Sequence, residues 1–335
     1  MRKLFTVPEL TVLIILVILS YIIMGVFSTV ESKEGLLSAD FILGISISSF
    51  LISTFVAIVA VVAGVGGGVI FTPIMLGFTS IDTLIVRATG LVVAMFSGLI
   101  SSGPFMRKGL AECKLVYYCS IPIIIGAVAG ALSAVYLAEY LGAKGDAIVR
   151  MLLGLTLVFI AFLFIFGGSK TEYPECKNVD KFTKKLGIAS SYWEESLNRT
   201  VHYDLKRALP GGFLFLLVGF TGGFFGLGGG WAVVPVLNLF MMSPLKIAAA
   251  SSGVLLAIGN AAAIWPYIVY GALIPLFAAP WMLGQVIGGI LGAYILAKIR
   301  AAFVRNVLIV IIFMTSIKLI SRGIEGFFDI NIPII

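Results

Sequence analysis

Residues 64–73 read Gly64-Val65-Gly66-Gly67-Gly68-Val69-Ile70-Phe71-Thr72-Pro73, and residues 226–235 read Gly226-Leu227-Gly228-Gly229-Gly230-Trp231-Ala232-Val233-Val234-Pro235. Both follow the pattern GxGGG-x4-P, 162 residues apart. Each glycine costs a helix about 1 kcal/mol relative to alanine, so three in succession predict a break in the helix. A helix resuming just after such a break presents its N-terminus, a cluster of N–H donors with partial positive charge.

Further anchors follow in the same order. Thr89-Gly90 pairs with Ser252-Gly253, and Gly109 with Gly271. Pro122-x3-Gly126-x3-Gly130 pairs with Pro280-x3-Gly284-x3-Gly288 at an offset of 158. The nearly constant offset predicts two homologous halves. The spacing of Gly126, Gly130, Gly284, Gly288 and Gly292 is that of close helix packing.

The chain around these motifs has 335 residues, 60% hydrophobic and 12% charged, with a mean hydropathy of +1.13. Soluble proteins carry about 25% charged residues, so this composition excludes a soluble enzyme, a disulfide scaffold and a nucleic-acid binder. A crossing helix needs about 20 apolar residues. Apolar runs lie at 8–30, 83–104, 115–138, 147–167, 246–270, 274–298 and 302–320, with broken stretches at 40–63, 68–80 and 211–242. The reading is an all-α polytopic membrane protein. The first run, preceded by Arg2 and Lys3, is long for a signal peptide and lacks an Ala-x-Ala site, so it reads as a retained helix.

Charge placement sets the topology. If each glycine-rich stretch enters and leaves on one side, 17 of the 23 lysines and arginines fall inside, the bias expected of cytoplasmic loops. Single crossings would move eleven of them outside. The hairpin arrangement predicts two inverted repeats, each a glycine-tipped hairpin plus three crossings, a transporter architecture. The expected divisions are 1–39, an N-terminal helix and outer loop; 40–167, the first repeat; 168–210, a cytoplasmic linker; 211–322, the second repeat; and 323–335, a tail. Within the linker, Phe182, Leu186, Ala189 and Trp193 have helical spacing. An amphipathic helix on the membrane surface and a flexible linker both fit them.

Inverted repeats bring the two tips together near the midplane. Gly66, Gly67, Gly68, Gly228, Gly229 and Gly230 are therefore the candidate backbone ligands for a small anionic substrate. Packing alone is the competing role for these glycines. Polar residues at membrane depth are Thr72, Thr89, Ser97, Ser101, Ser102, Asn238, Ser251, Ser252, Asn260 and Gln285. Of these Thr72, Thr89, Asn238, Ser251, Ser252 and Asn260, with Trp231, complete the candidate site. For the hydroxyls, bonding back to their own helix is the competing role; Trp231 and Trp265 either gate the passage or fill space. Arg87 and Lys246 sit near the start of equivalent helices, where a cation attracts anions or snorkels to headgroups.

The doubled glycine-proline motif resembles the TauE/SafE family of membrane permeases, as do Ala88-Thr89 and Ser251-Ser252-Gly253 downstream of it. The resemblance covers about 44–322 and implies transport of sulfite, sulfonates or related sulfur-containing or carboxylated anions across the cytoplasmic membrane. The leading helix and the 168–210 segment depart from the family's shorter pattern.

No Asp, Glu, Lys or Arg lies in the middle of a predicted span, so a carboxylate proton relay lacks its usual parts. Coupling, with protons as the candidate ion, then runs through the substrate's own protonation, or the passage is passive. The one histidine, His202, falls in the linker and leaves no Ser–His dyad; no Walker A pattern occurs. Cys113, Cys119 and Cys176 have no metal or redox spacing. No enzyme activity, cofactor or metal is expected. The partners are the anion and the bilayer. A passive anion channel or a carboxylate permease, and a membrane sensor or scaffold acting through 168–210, are the competing readings.

Overall fold

The computed structural model describes residues 39–63, 66–107, 109–166, 172–174, 179–194, 198–296 and 301–328. The expected helix at 8–30, Gly64, Val65, Cys176 and the last residues of the tail lie outside them. The first half comprises α1 (Ala39–Ala63), α2 (Gly68–Phe78), α3 (Thr83–Arg107), α4 (Cys113–Leu141) and α5 (Ala143–Phe166). The linker holds α6 (Lys181–Leu186), β1 (Ser190–Glu194) and β2 (Arg199–Tyr203). The second half repeats the order with α7 (Ala208–Phe225), α8 (Gly230–Pro235), α9 (Leu245–Val269), α10 (Pro275–Leu296) and α11 (Ala301–Phe328). A π-helical turn, Val236–Phe240, continues α8.

Seven of the described helices are long and apolar enough to cross a membrane. Their apolar windows are buried unequally, 78% in α3 and 61% in α9 against 33% in α1 and α4. So α3 and α9 form the centre, and the others turn large apolar side chains such as Leu51, Phe55, Tyr117 and Ile125 outward, the face a bilayer would cover. The principal partners exchange between halves: α1 packs on α10 and α7 on α4, while α3 packs on α9 and α5 on α11.

The exchanged pairs come close because glycines face main chain. A methyl at Gly126 or Gly130 would strike the Leu216 or Phe220 carbonyl of α7; at Gly288 it would strike the Thr54 carbonyl of α1. The packing role expected for these glycines is the one they have.

The second broken stretch returns to the face it left. Lys206 N, just before α7, donates to the Met241 carbonyl, just after the π-turn, at 3.0 Å. The first stretch behaves alike. α1 runs alongside α10 in the same direction, Ser53 beside Gly284 and Ile58 beside Gly292. Both the 79–82 turn, reached after α2, and the Tyr270–Ala272 turn that precedes α10 line one groove. At 1.5 Å per residue, the 11 residues of α2 rise about 16 Å, half of a ~30 Å hydrocarbon core.

The linker corrects an expectation. Its helix covers only Lys181–Leu186, begins on Asp180 and ends at Gly187, which has φ +61°. β1 and β2 then pair antiparallel, with Tyr192 opposite Val201 and Glu194 opposite Arg199. The helical face expected from Phe182 to Trp193 therefore does not form; Trp193 lies in a strand, 57% exposed. Glycine at 187 supplies the left-handed cap that stops the helix. The hairpin is docked: Tyr192, Tyr203 and Leu205 join the main core. Glu194, 1% exposed, pairs with Lys246 at 2.5 Å. Among the described residues the fold is thus nearly all helix, with one two-stranded exception.

Candidate anion-binding site at the glycine tips

α1 ends at Ala63 and α2 begins at Gly68, and the described part of the first tip is Gly66 and Gly67. Val69 N donates to the Gly66 carbonyl at 3.1 Å, Ile70 N to that of Gly67 at 3.2 Å and Phe71 N to the same carbonyl at 2.9 Å. Gly67 N donates to Ser97 Oγ of α3 at 3.0 Å.

The second tip is built on a helix end. Gly226 and Gly228 have φ of +69° and +66°, a region L side chains rarely enter. The last carbonyls of α7, orphaned by the break, find donors in other helices. Tyr267 donates its hydroxyl to the Gly223 carbonyl at 2.9 Å. Arg87 donates Nη1 to the Phe224 carbonyl at 3.4 Å and also bonds Thr83, through Nε to its carbonyl and Nη2 to its hydroxyl, both at 3.1 Å. Ala232 N and Val233 N turn back to the Gly229 carbonyl at 3.0 and 3.1 Å.

The tips meet halfway along the central helices. A Cβ on Gly230 would lie 2.8 Å from Gly66 N, and one on Gly68 would lie 2.5 Å from the Leu227 carbonyl. Both tips lie against the middle of α3: Gly68 faces Gly90 and Ala94, Gly228 faces Ala94, and Gly67 faces Val93. From α9, Asn260 reaches Gly228 and Leu256 reaches Gly229 and Gly230.

The candidate side chains separate into groups. Thr72 is buried and donates to the Gly226 carbonyl at 2.8 Å, tying α2 to the other tip. Asn260 stands against the second tip, and its Nδ2 has no hydrogen-bond partner among the described residues. Thr89 Oγ1, Ser251 Oγ and Trp231 Nε1 are buried without partners too. Ser252 instead bonds back to the Ala249 carbonyl of its own helix at 2.8 Å. Asn238 donates to the Ser243 carbonyl at 2.8 Å, holding the turn after the π-segment rather than touching the tips. Trp265 is exposed on the outer surface. A buried amide or hydroxyl left unpaired costs about 1–3 kcal/mol, so the Asn260 amide, buried against the second tip, is a place for a ligand with acceptor atoms.

Two features lie beyond the site assigned from sequence. Gln285 of α10, noted only for its depth, is fully buried against Gly67. It donates Nε2 to Ser53, at 3.3 Å to the carbonyl and 3.1 Å to the hydroxyl. Ser53 sits in a featureless apolar run and carried no signal. Arg87 is the other. Read from sequence as lying near the start of its helix, it is 0% exposed and reaches the end of α7, donating to the Phe224 carbonyl two residues before Gly226. It is not free at a mouth, and neither is Lys246, which is paired with Glu194.

A family model described as sulfite exporter TauE/SafE matches residues 49–319. The chain belongs to the TauE/SafE family. The match runs from α1 into α11 and includes both tips. Among curated relatives, the probable membrane transporter protein YunE of Bacillus subtilis is 22% identical over 78% of this chain and 92% of its own length. A probable membrane transporter protein of Haemophilus influenzae is 25% identical over 81% of this chain and 92% of its own. No solved structure matches the chain. It is a membrane transporter of the TauE/SafE family, with many crossing helices.

Proposed function

We propose that this protein is a secondary permease for small anions, with sulfite and sulfonates as the leading substrates, and that the anion binds between the two glycine tips near the bilayer midplane. The observation that carries the reading is the meeting of Gly66 and Gly230 halfway along α3 and α9, beside the Asn260 amide, whose Nδ2 is buried without a partner among the described residues. Neutral donors suit an anion that must also leave: they supply hydrogen bonds to its oxygens without the deep well a fixed cation would create.

The halves act as inverted repeats in this reading. It draws support from the exchanged pairing of α1 with α10 and α7 with α4, and from hairpins that return to opposite faces. The linker face is cytoplasmic, in keeping with its excess of lysine and arginine. The site's groups do not titrate near neutral pH, so coupling to protons runs through protonation of the substrate.

Uptake into proteoliposomes, screened over sulfite, thiosulfate, taurine and simple carboxylates, tests the reading. Gly67→Val and Gly229→Val each reduce uptake about a hundredfold or more, the scale of a lost binding site. A folded protein carrying both changes and transporting as before would sink the proposal. Imposing a pH gradient separates permease from channel: a coupled permease accumulates sulfite against its gradient, whereas a channel only equilibrates it.

A further inference from the structure

The two tips are not equivalent. In the register of Pro122 and Pro280, 158 residues apart, Gln285 of α10 corresponds to Ala127 of α4. In the register of Thr89-Gly90 and Ser252-Gly253, 163 apart, Asn260 of α9 corresponds to Ser97 of α3. Each tip thus holds one carboxamide, but from a different wall.

At the first tip the carboxamide fills the space. Gln285 is pinned by its two bonds to Ser53. The Ser53 carbonyl can only accept, which fixes Nε2 on that side and turns Oε1 inward. Among the described residues Oε1 has no hydrogen-bond partner, and it lies where a side chain on Gly67 would fall. A carboxamide oxygen is the neutral counterpart of an oxyanion's oxygen, and this one points at the start of α2.

At the second tip Ala127 brings no carboxamide, and a side chain on Gly229 would meet the apolar Val218 Cγ1 at 2.8 Å instead. A cavity there is lined by Ala127, Val218, Gly229, Val233, Leu256 and Asn260, among others. It has room for about one water-sized sphere. Asn260, 5% exposed, is one of the lining residues, and its Nδ2 has no hydrogen-bond partner among the described residues. An anion at the first tip must displace Gln285 and break both of its hydrogen bonds. At the second it gains a donor that nothing else uses.

We propose that the second tip is the receiving half of the site, with Asn260 the side-chain donor to the anion, and that Gln285 is a built-in occupant that keeps the first tip shut. The inference rests on the anion-permease reading above but is tested apart from it.

The test is thiol accessibility in the full chain reconstituted in liposomes, with the three native cysteines replaced by alanine. Ser97→Cys and Asn260→Cys are introduced singly and treated with a small anionic methanethiosulfonate. Asn260→Cys reacts about tenfold faster than Ser97→Cys, since modification follows access. Adding Gln285→Ala raises the Ser97→Cys rate to within about twofold of the Asn260→Cys rate. Adding Ala127→Gln slows Asn260→Cys about tenfold. Should Ala127→Gln disturb the contact of α4 with α7, Val233→Leu fills the same cavity from its other wall with a smaller change. Equal rates at the two positions, or a faster Ser97→Cys, overturn the inference. Sulfite uptake by the unlabelled native chain is measured in parallel. If it is absent while the labelling is asymmetric, the permease reading fails and the inequality of the tips stands. If it is present while labelling is symmetric, only the inequality fails.

Discussion

A methyl group on Gly67 would fall on the Gln285 amide oxygen, and one on Gly90 would fall on both the Thr72 hydroxyl and the Gly226 carbonyl. At this scale the motif is a set of places where no side chain fits, because another helix's polar atom is already there. Thr72 shows what the contacts accomplish: its hydrogen bond to Gly226 is the side-chain tie between α2 and the second tip. Thr72→Val keeps the shape and removes the donor, leaving the Gly226 carbonyl buried and unpaired. The expected loss is about 1–3 kcal/mol, read as a lower Tm in detergent. Of the candidate residues, the glycines, Thr72 and Asn260 were legible because their types are costly inside an apolar run. Asn238 shared that signal but serves a turn. Nothing in composition separates an amide that closes a loop from one that faces a site.

Among the elements, the linker differs most from its sequence reading. Four apolar residues at helical spacing suggested one amphipathic face, but Gly187 ends the helix and the chain turns into strands. Local spacing is blind to a cap that makes the next segment extended. Asp180 begins this unit. Its carboxylate accepts from Thr183 Oγ1 and Arg207 N, both at 2.7 Å, and from Thr183 N at 3.1 Å. The Thr183 hydroxyl, above all, holds the Asp180 pKa below the ordinary carboxylate value. A depressed folded pKa means the stabilisation is complete above the unfolded value of about 3.9 and is lost as pH falls through the lower folded one. Removing the cap by Asp180→Ala costs about 1 kcal/mol. Trypsin then cuts faster at Lys181, Lys184 and Lys185 at neutral pH. Asp180→Asn abolishes the acid-dependent loss, read as Tm followed from about pH 5 down to about pH 2.

On the scale of the whole molecule, α3 and α9 form an inner pair and each hairpin reaches between helices of the other half. The orientation proposed for this body is checked by labelling cells with a membrane-impermeant thiol reagent. Lys144→Cys, in the first turn of α5, reacts on intact cells. Lys181→Cys, in the linker helix, reacts only after permeabilisation. The opposite pattern would invert the proposed topology. The sequence by itself determined that the chain is a helical membrane protein, that it carries a repeated unit and that each unit breaks at its glycines, since hydropathy and helix propensity act within a few turns. Only the tertiary structure decided that Arg87 is buried under the second tip, that Gln285 fills the first and that Glu194 meets Lys246. Those pairings join residues from 52 to 218 positions apart, and they depend on which faces of the helices meet, which no local pattern encodes.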